Sequence, residues 1–280
     1  MVRGYTNRIL TDVVQIHSFL NMKGATMSTF VIAAQGYTVR DFAKTPAEIA
    51  QTCAKLRKIG YQALQISGFG PIAPEEMARI LKNEDLICCA THTSFERMIN
   101  EPDRVAAEHH ILGCTHLALG ALPGSYRDEG GSGYLRFARD ASTIASKLAA
   151  LGLTLSYHNH HFEFAKFDGK TGLQLIYDNA PNLCAELDTY WVQTGGGDPV
   201  AWLRRLKGRT PLLHLKDMVY LKDAMVMAEV GEGNLDWPAI LAAAKDSGTL
   251  WYIVEQDTCQ RDPFDALAIS LRNLHNLGLS

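Results

Sequence analysis

Between residues 29 and 257 the chain alternates short apolar and β-branched runs with longer stretches of helical periodicity. The short runs are TFVIAAQ (29–35), YQALQIS (61–67), LICCATH (86–92), THLALGA (115–121), TLSYHNH (154–160), LCAELDT (183–189), PLLHLKD (211–217) and WYIVEQD (251–257), and they read as eight strands. The longer stretches predict helices over 46–60, 74–83, 137–152, 171–180, 198–208 and 236–248. Gly60, Gly152, Gly208 and Gly248 stand where four of them give way to the next strand, as C-terminal caps do. Eight strand–helix units without a Pro/Gly/Ser-rich linker describe one parallel sheet. The count of eight favours a closed, single-domain α/β structure, a (β/α)8 TIM barrel, over an open doubly wound sheet.

Inside a barrel every second strand residue points inward, and the strand C-termini form the functional mouth. On the fifth strand, alternation turns Thr154, Ser156, His158 and His160 inward and leaves Leu153, Leu155 and Tyr157 outside. Cys184, Glu186 and Asp188 share the inner face of the sixth. His214 and Lys216 do so on the seventh, and Trp251, Ile253 and Glu255 on the eighth. Four successive strands thus deliver ionisable groups to one rim. Imidazoles and carboxylates converging there suit one divalent ion (Mn, Co, Mg or Zn), and the lack of Cys at these positions argues against a structural zinc site. Gln35, Tyr37, Arg40, Gln65, Ser67 and His92, at the ends of the first three strands, are candidate hydroxyl-binding groups, while Glu229 and Trp191 can reach in from loops. Neither Gly195-Gly196-Gly197 nor Gly231-Glu232-Gly233 belongs to a phosphate-binding GxxxxGK[ST] loop.

The 280 residues carry 27 Lys+Arg against 30 Asp+Glu, a formal net charge of −3. That lacks the basic excess of a general nucleic-acid binder. No apolar run approaches the roughly 20 residues that cross a bilayer. Six cysteines without a CxxC pair predict a reducing, cytoplasmic compartment. Residues 1–26 lack the apolar core of a signal peptide and read as a poorly ordered extension. Residues 27–280 then match the roughly 250 of a typical barrel. A homo-oligomer is compatible with this pattern.

The segments QGYTVRD (35–41), YHNHHFEF (157–164), ELDTYWVQTGGGDP (186–199), HLKD (214–217), VGEGNLDWPAIL (230–241) and YIVEQD (252–257) carry a resemblance. Together, from about Thr29 to about Leu274, the chain resembles the xylose-isomerase-like sugar phosphate isomerase/epimerase family of TIM barrels. The resemblance implies one divalent metal held by Glu, Asp, His and Glu from the ends of strands five to eight. Asp188, His214 and Glu255 match the last three. The fifth strand departs, with His158 where many members have Glu. Glu163, five residues on, is expected to fill that place, with His158 as its rival; in the rival assignment Glu163 hydrogen-bonds substrate. His160 resembles an acid/base histidine found two residues after the ligand in some members.

The activity implied is a sugar isomerase or epimerase working on a small sugar or polyol through a metal-stabilised enediolate. Glu163, Glu255 and His160 would move protons, and His158, Lys216, His92, Gln35 and Glu229 would contact substrate. A lyase or dehydratase acting on keto-inositol or 3-keto-glycosides would use the same groups. An apurinic endonuclease, related by fold, would need about three zinc ions and a basic groove, which this chain lacks.

Overall fold

The computed structural model describes residues 30–279. Eight parallel strands close a barrel: β1 (Val31–Gln35), β2 (Ala63–Ile66), β3 (Ile87–His92), β4 (His116–Leu119), β5 (Thr154–His158), β6 (Cys184–Asp188), β7 (Leu212–Leu215) and β8 (Trp251–Val254). Each pairs with the next in chain order, and β8 returns to β1 with Val31 beside Trp251 and Ala33 beside Ile253. These are the eight runs read from the sequence, each shortened by one to three residues at one or both ends. The N-terminal extension expected over 1–26 lies outside the described residues.

A helix follows every strand: α1 (Pro46–Ile59), α2 (Pro74–Asn83), α3 (Pro102–Ile111), α4 (Gly131–Ala150), α5 (Gly172–Asn179), α6 (Pro199–Arg205), α7 (Trp237–Ser247) and α8 (Pro263–Asn276). Local chemistry sets their starts. Thr45 and Glu48 form a capping box on α1, and Thr171 and Gln174 form one on α5. Asp198, Asp236 and Asp262 cap α6, α7 and α8. α4 begins six residues before the periodicity suggested, through a Gly-Ser-Gly run that sequence alone reads as irregular. Gly133 is required there by close approach, since a Cβ would lie 1.8 Å from the Tyr126 carbonyl oxygen.

Alternation divides the apolar residues into two layers. Leu155, Tyr157, Leu213, Leu215, Tyr252 and Val254 pack outward against the helices. Val31, Ala33, Ala63, Cys89, Ala118, Leu212, Trp251 and Ile253 fill the barrel's lower interior. Above that apolar floor the interior turns polar: Gln35, Gln65, Ser156, His158, Glu186, Asp188, His214, Lys216 and Glu255 are all buried.

Elements beyond the predicted set include the helices α3 and α8 and an antiparallel hairpin pairing Asp217–Leu221 with Ala224–Ala228. It turns at Lys222 and Asp223, both at positive φ, as a tight two-residue hairpin turn requires. All six cysteines are free thiols. Among the described residues no helix is long and apolar enough to cross a membrane.

Candidate functional site

The rim of β5 to β8 gathers His158, Asp188, His214 and Glu255, whose donor atoms all lie within 4.8 Å of one another. Asp188 is the N-cap of the short helix Thr189–Thr194, and its Oδ1 accepts the Trp191 amide at 2.9 Å. Capping leaves Oδ2 facing inward, 3.3 Å from His158 Nε2 and 3.8 Å from His214 Nδ1. His214 Nδ1 also lies 2.8 Å from Glu255 Oε2. Asn159 ties the two strand ends together by accepting the Asp188 amide at 3.0 Å. Thr189 Oγ1 does the same for β7, facing the carbonyls of His214 and Lys216 at 3.1 and 2.9 Å.

The second nitrogen of each imidazole is held as well. His158 Nδ1 donates to the Gly120 carbonyl at 3.0 Å, which turns Nε2 toward Asp188. A Cβ at Gly120 would lie 3.0 Å from His92 Nδ1 and would press on that ring. His214 Nε2 donates to Gln65 Oε1 at 2.7 Å. Such outer contacts orient histidines for metal binding. The mixed imidazole and carboxylate donors suit a divalent ion of the Mn, Co or Zn type. The residues present therefore fit a single metal centre.

Lys216 completes the rim. Its buried ammonium lies 3.0 Å from Asp188, 2.8 Å from Glu255 and 2.7 Å from Asp257. Burial alone would discharge these groups, yet each is held charged by its neighbours. Against burial, Lys216 and the histidines keep Asp188 and Glu255 well below the usual carboxylate range. Against burial again, the surrounding carboxylates push His214 and Lys216 up, and the Asp188 contact raises His158. His160 behaves oppositely: burial and the neighbouring His158 push it down to about 3, leaving a neutral ring. That ring stacks on Phe162, packs beside Trp191, and has an unpartnered buried Nδ1.

Glu163 is not brought to this group, contrary to the expectation that it supplies the first ligand. The short turn Phe162–Phe164 directs its carboxylate to the outer side of β5. There it accepts from the Tyr157 hydroxyl and, at 2.8 Å, from the His160 amide. Sealed away, its carboxyl is raised by burial to about 7. His158 occupies the fourth corner instead. Glu229, expected to contact substrate, faces Arg261 at 3.1 Å. Gln35 remains on the inner face, its Oε1 accepting the Tyr37 amide and its Nε2 buried without a partner.

A second group joins His92, Glu186 and His214 across the interior. His92 Nε2 and Glu186 Oε2 lie 2.6 Å apart, and Ser67 Oγ meets His92 Nδ1 at 3.1 Å. Strand alternation put Glu186 on the inner face; His214 on the neighbouring β7 lies 3.4 Å from it, but its closest partners, Gln65 and His92, are four and three strands away, on β2 and β3. The sequence assigned no role to Asp257; lying two residues beyond Glu255, it shares that residue's inward face.

Residues 53–276 match the family model described as xylose isomerase-like TIM barrel. No curated protein sequence matches the chain significantly. Among solved structures, a sugar phosphate isomerase/epimerase from Parabacteroides distasonis superposes with a TM-score of 0.73 at 22% identity, covering 89% of this chain and 95% of that one. An L-ribulose 3-epimerase superposes at 0.66 with 17% identity, covering 89% and 94%. A probable 3-DHS dehydratase from Bacillus anthracis superposes at 0.67 with 15% identity, covering 88% and 99%.

Proposed function

Since the chain belongs to the xylose isomerase-like TIM-barrel family, we propose that it is a divalent-metal-dependent sugar isomerase or epimerase whose ion is held by His158, Asp188, His214 and Glu255. The observation that carries this reading is the convergence of those four buried donors on one rim. A divalent ion held there would supply Lewis acidity, polarising a sugar carbonyl.

The chain's own groups do the rest. Glu255 is the rim carboxylate placed to remove the proton on the carbon next to the carbonyl. Lys216, 2.8 Å from it, offers positive charge to the oxygen on which electron density collects. His160, neutral and beside Trp191, lies just past the end of another strand and offers its unpartnered Nδ1 to a substrate hydroxyl. Returning the proton to the same carbon from the other face gives an epimer; returning it to the adjacent carbon gives an isomer. Glu163 supports this by holding the His160 amide rather than by touching substrate. Gln35 Nε2 is a further substrate contact, whereas both ring nitrogens of His92 are held, by Glu186 and Ser67. The free thiols accord with a reducing compartment such as the cytoplasm.

A second reading, a lyase or dehydratase expelling a β-hydroxyl from the same enediolate, is favoured by the dehydratase among the structural neighbours. Incubating Mn-loaded protein in deuterated water with a panel of aldoses, ketoses, keto-sugars and inosose tests both. Deuterium entering the carbon beside the carbonyl of an epimer or isomer is the expected outcome. An ultraviolet-absorbing enone selects the lyase. Absence of exchange on every substrate contradicts both.

A further inference from the structure

Glu186 sits at the centre of the barrel interior, fully buried, with both oxygens engaged. Oε1 accepts Gln65 Nε2 at 2.6 Å, and Oε2 meets His92 Nε2 at 2.6 Å. A carboxylate only accepts, so Gln65 must turn its amide nitrogen toward Glu186 and its oxygen away. That oxygen lies 2.7 Å from His214 Nε2. An amide oxygen also only accepts, so Nε2 must carry a proton. Nδ1, the other ring nitrogen, then faces Asp188 and Glu255 as the atom able to give its proton up. Glu186 Oε2 itself lies 3.4 Å from the same Nε2, so one buried charge on β6 dictates, directly and through a side chain on β2, which nitrogen of a β7 histidine is free to ligate.

We propose that Glu186 and Gln65 are positioning residues that fix the tautomer of His214, so that it meets a metal through Nδ1 with Nε2 protonated. This rests on the metal-centre reading above. It also assigns the group of His92, Glu186 and His214 to a hydrogen-bond chain running from Ser67 through His92, Glu186 and Gln65 to His214, and not to a second ion. Neither Gln65 nor Glu186 would touch substrate or metal.

The test is a calorimetric Mn2+ titration of the full chain, wild type against Gln65→Met and Glu186→Gln, with folding checked by thermal melting. The wild type is expected to bind one ion per chain. Both variants, close in size to the native side chains, are expected to bind 10- to 100-fold more weakly, the usual cost of losing an outer contact to a ligating histidine. Glu186→Gln acts because its new amide N–H can meet Gln65 Oε1 and let that amide turn over. Should Gln65→Met not fold, Glu186→Gln decides alone. A second readout is independent of affinity. In Zn2+-loaded protein with 15N-labelled histidine, His214 should carry its proton on Nε2 in the wild type and lose that preference in Glu186→Gln. Wild-type affinity and an unchanged His214 pattern in both variants would overturn the relay while leaving the metal site standing. Two ions per wild-type chain, one lost on Glu186→Gln, would overturn it in favour of a second metal. No binding by the wild type would remove the site itself, and the relay with it.

Discussion

The ammonium of Lys216 lies 2.8 Å from Glu255 Oε2, the same oxygen that faces His214 Nδ1 at 2.8 Å. One carboxylate oxygen therefore serves two cationic groups in a fully buried setting. Negative charge on Asp188, Glu186 and Glu255 is met by Lys216 and the imidazoles. Such a network holds only while its members are complete, because an unpaired buried charge has no water to turn to.

Replacing Lys216 by Met tests that completeness. Asp188 and Glu255 would lose their shared cation, and the metal-free protein should lose about 3 to 5 kcal/mol of stability, the usual cost of breaking a buried pair. A divalent ion supplies the missing charge, so Mn2+ should raise the urea midpoint more in Lys216→Met than in the wild type. Equal shifts would show that Lys216 and the ion do not address the same carboxylates.

Glu163 gives stability a pH dependence of definite sign. Burial raises its carboxyl to about 7 from an ordinary value of 4.5. A carboxyl raised by folding binds protons more tightly in the native state, so its contribution is best at low pH and is lost as pH climbs from about 4.5 through about 7. The difference amounts to about 3 kcal/mol. Glu163→Gln removes this titration. The stability difference between variant and wild type, measured by urea unfolding at pH 5 and pH 8, should shift in the variant's favour at pH 8. Parallel pH profiles would mean the carboxyl is not raised by folding.

The same residue shows where sequence reading reaches its limit. Period-two alternation placed His158, Asp188, His214 and Glu255 on one face because strands leave a side chain only two directions. It carried no such rule past the end of β5, where the turn Phe162–Phe164 sends Glu163 to the outer wall beside Tyr157. Proximity in sequence to a ligand position was therefore a poor guide. Glu186 stood on the correct inner face and Gln65 was noted at the end of the second strand, but their contact joins residues 121 positions apart in sequence. Pairing across a barrel interior has no local signature. The hairpin Asp217–Ala228 escaped for another reason, since its strand residues run straight on from the seventh barrel strand without a turn signal between them.

Asp217 organises the loop after that hairpin. Its buried carboxylate accepts the amides of Met218, Gly231, Gly233 and Leu235 and the Trp237 indole N–H. Asn in its place presents an N–H to several of these donors, and unsatisfied buried groups cost about 1 to 3 kcal/mol. Asp217→Asn should lower the melting temperature and open residues 229–237 to limited proteolysis. A resistant loop at unchanged stability would deny the carboxylate this role.

Anomalous X-ray scattering from crystals soaked in Mn2+ locates the ion directly. The expected map holds one peak per chain, about 2.0 to 2.3 Å from His158 Nε2, His214 Nδ1 and carboxylate oxygens of Asp188 and Glu255. A peak coordinated by Glu163, or no peak at the β5–β8 rim, would contradict the assignment.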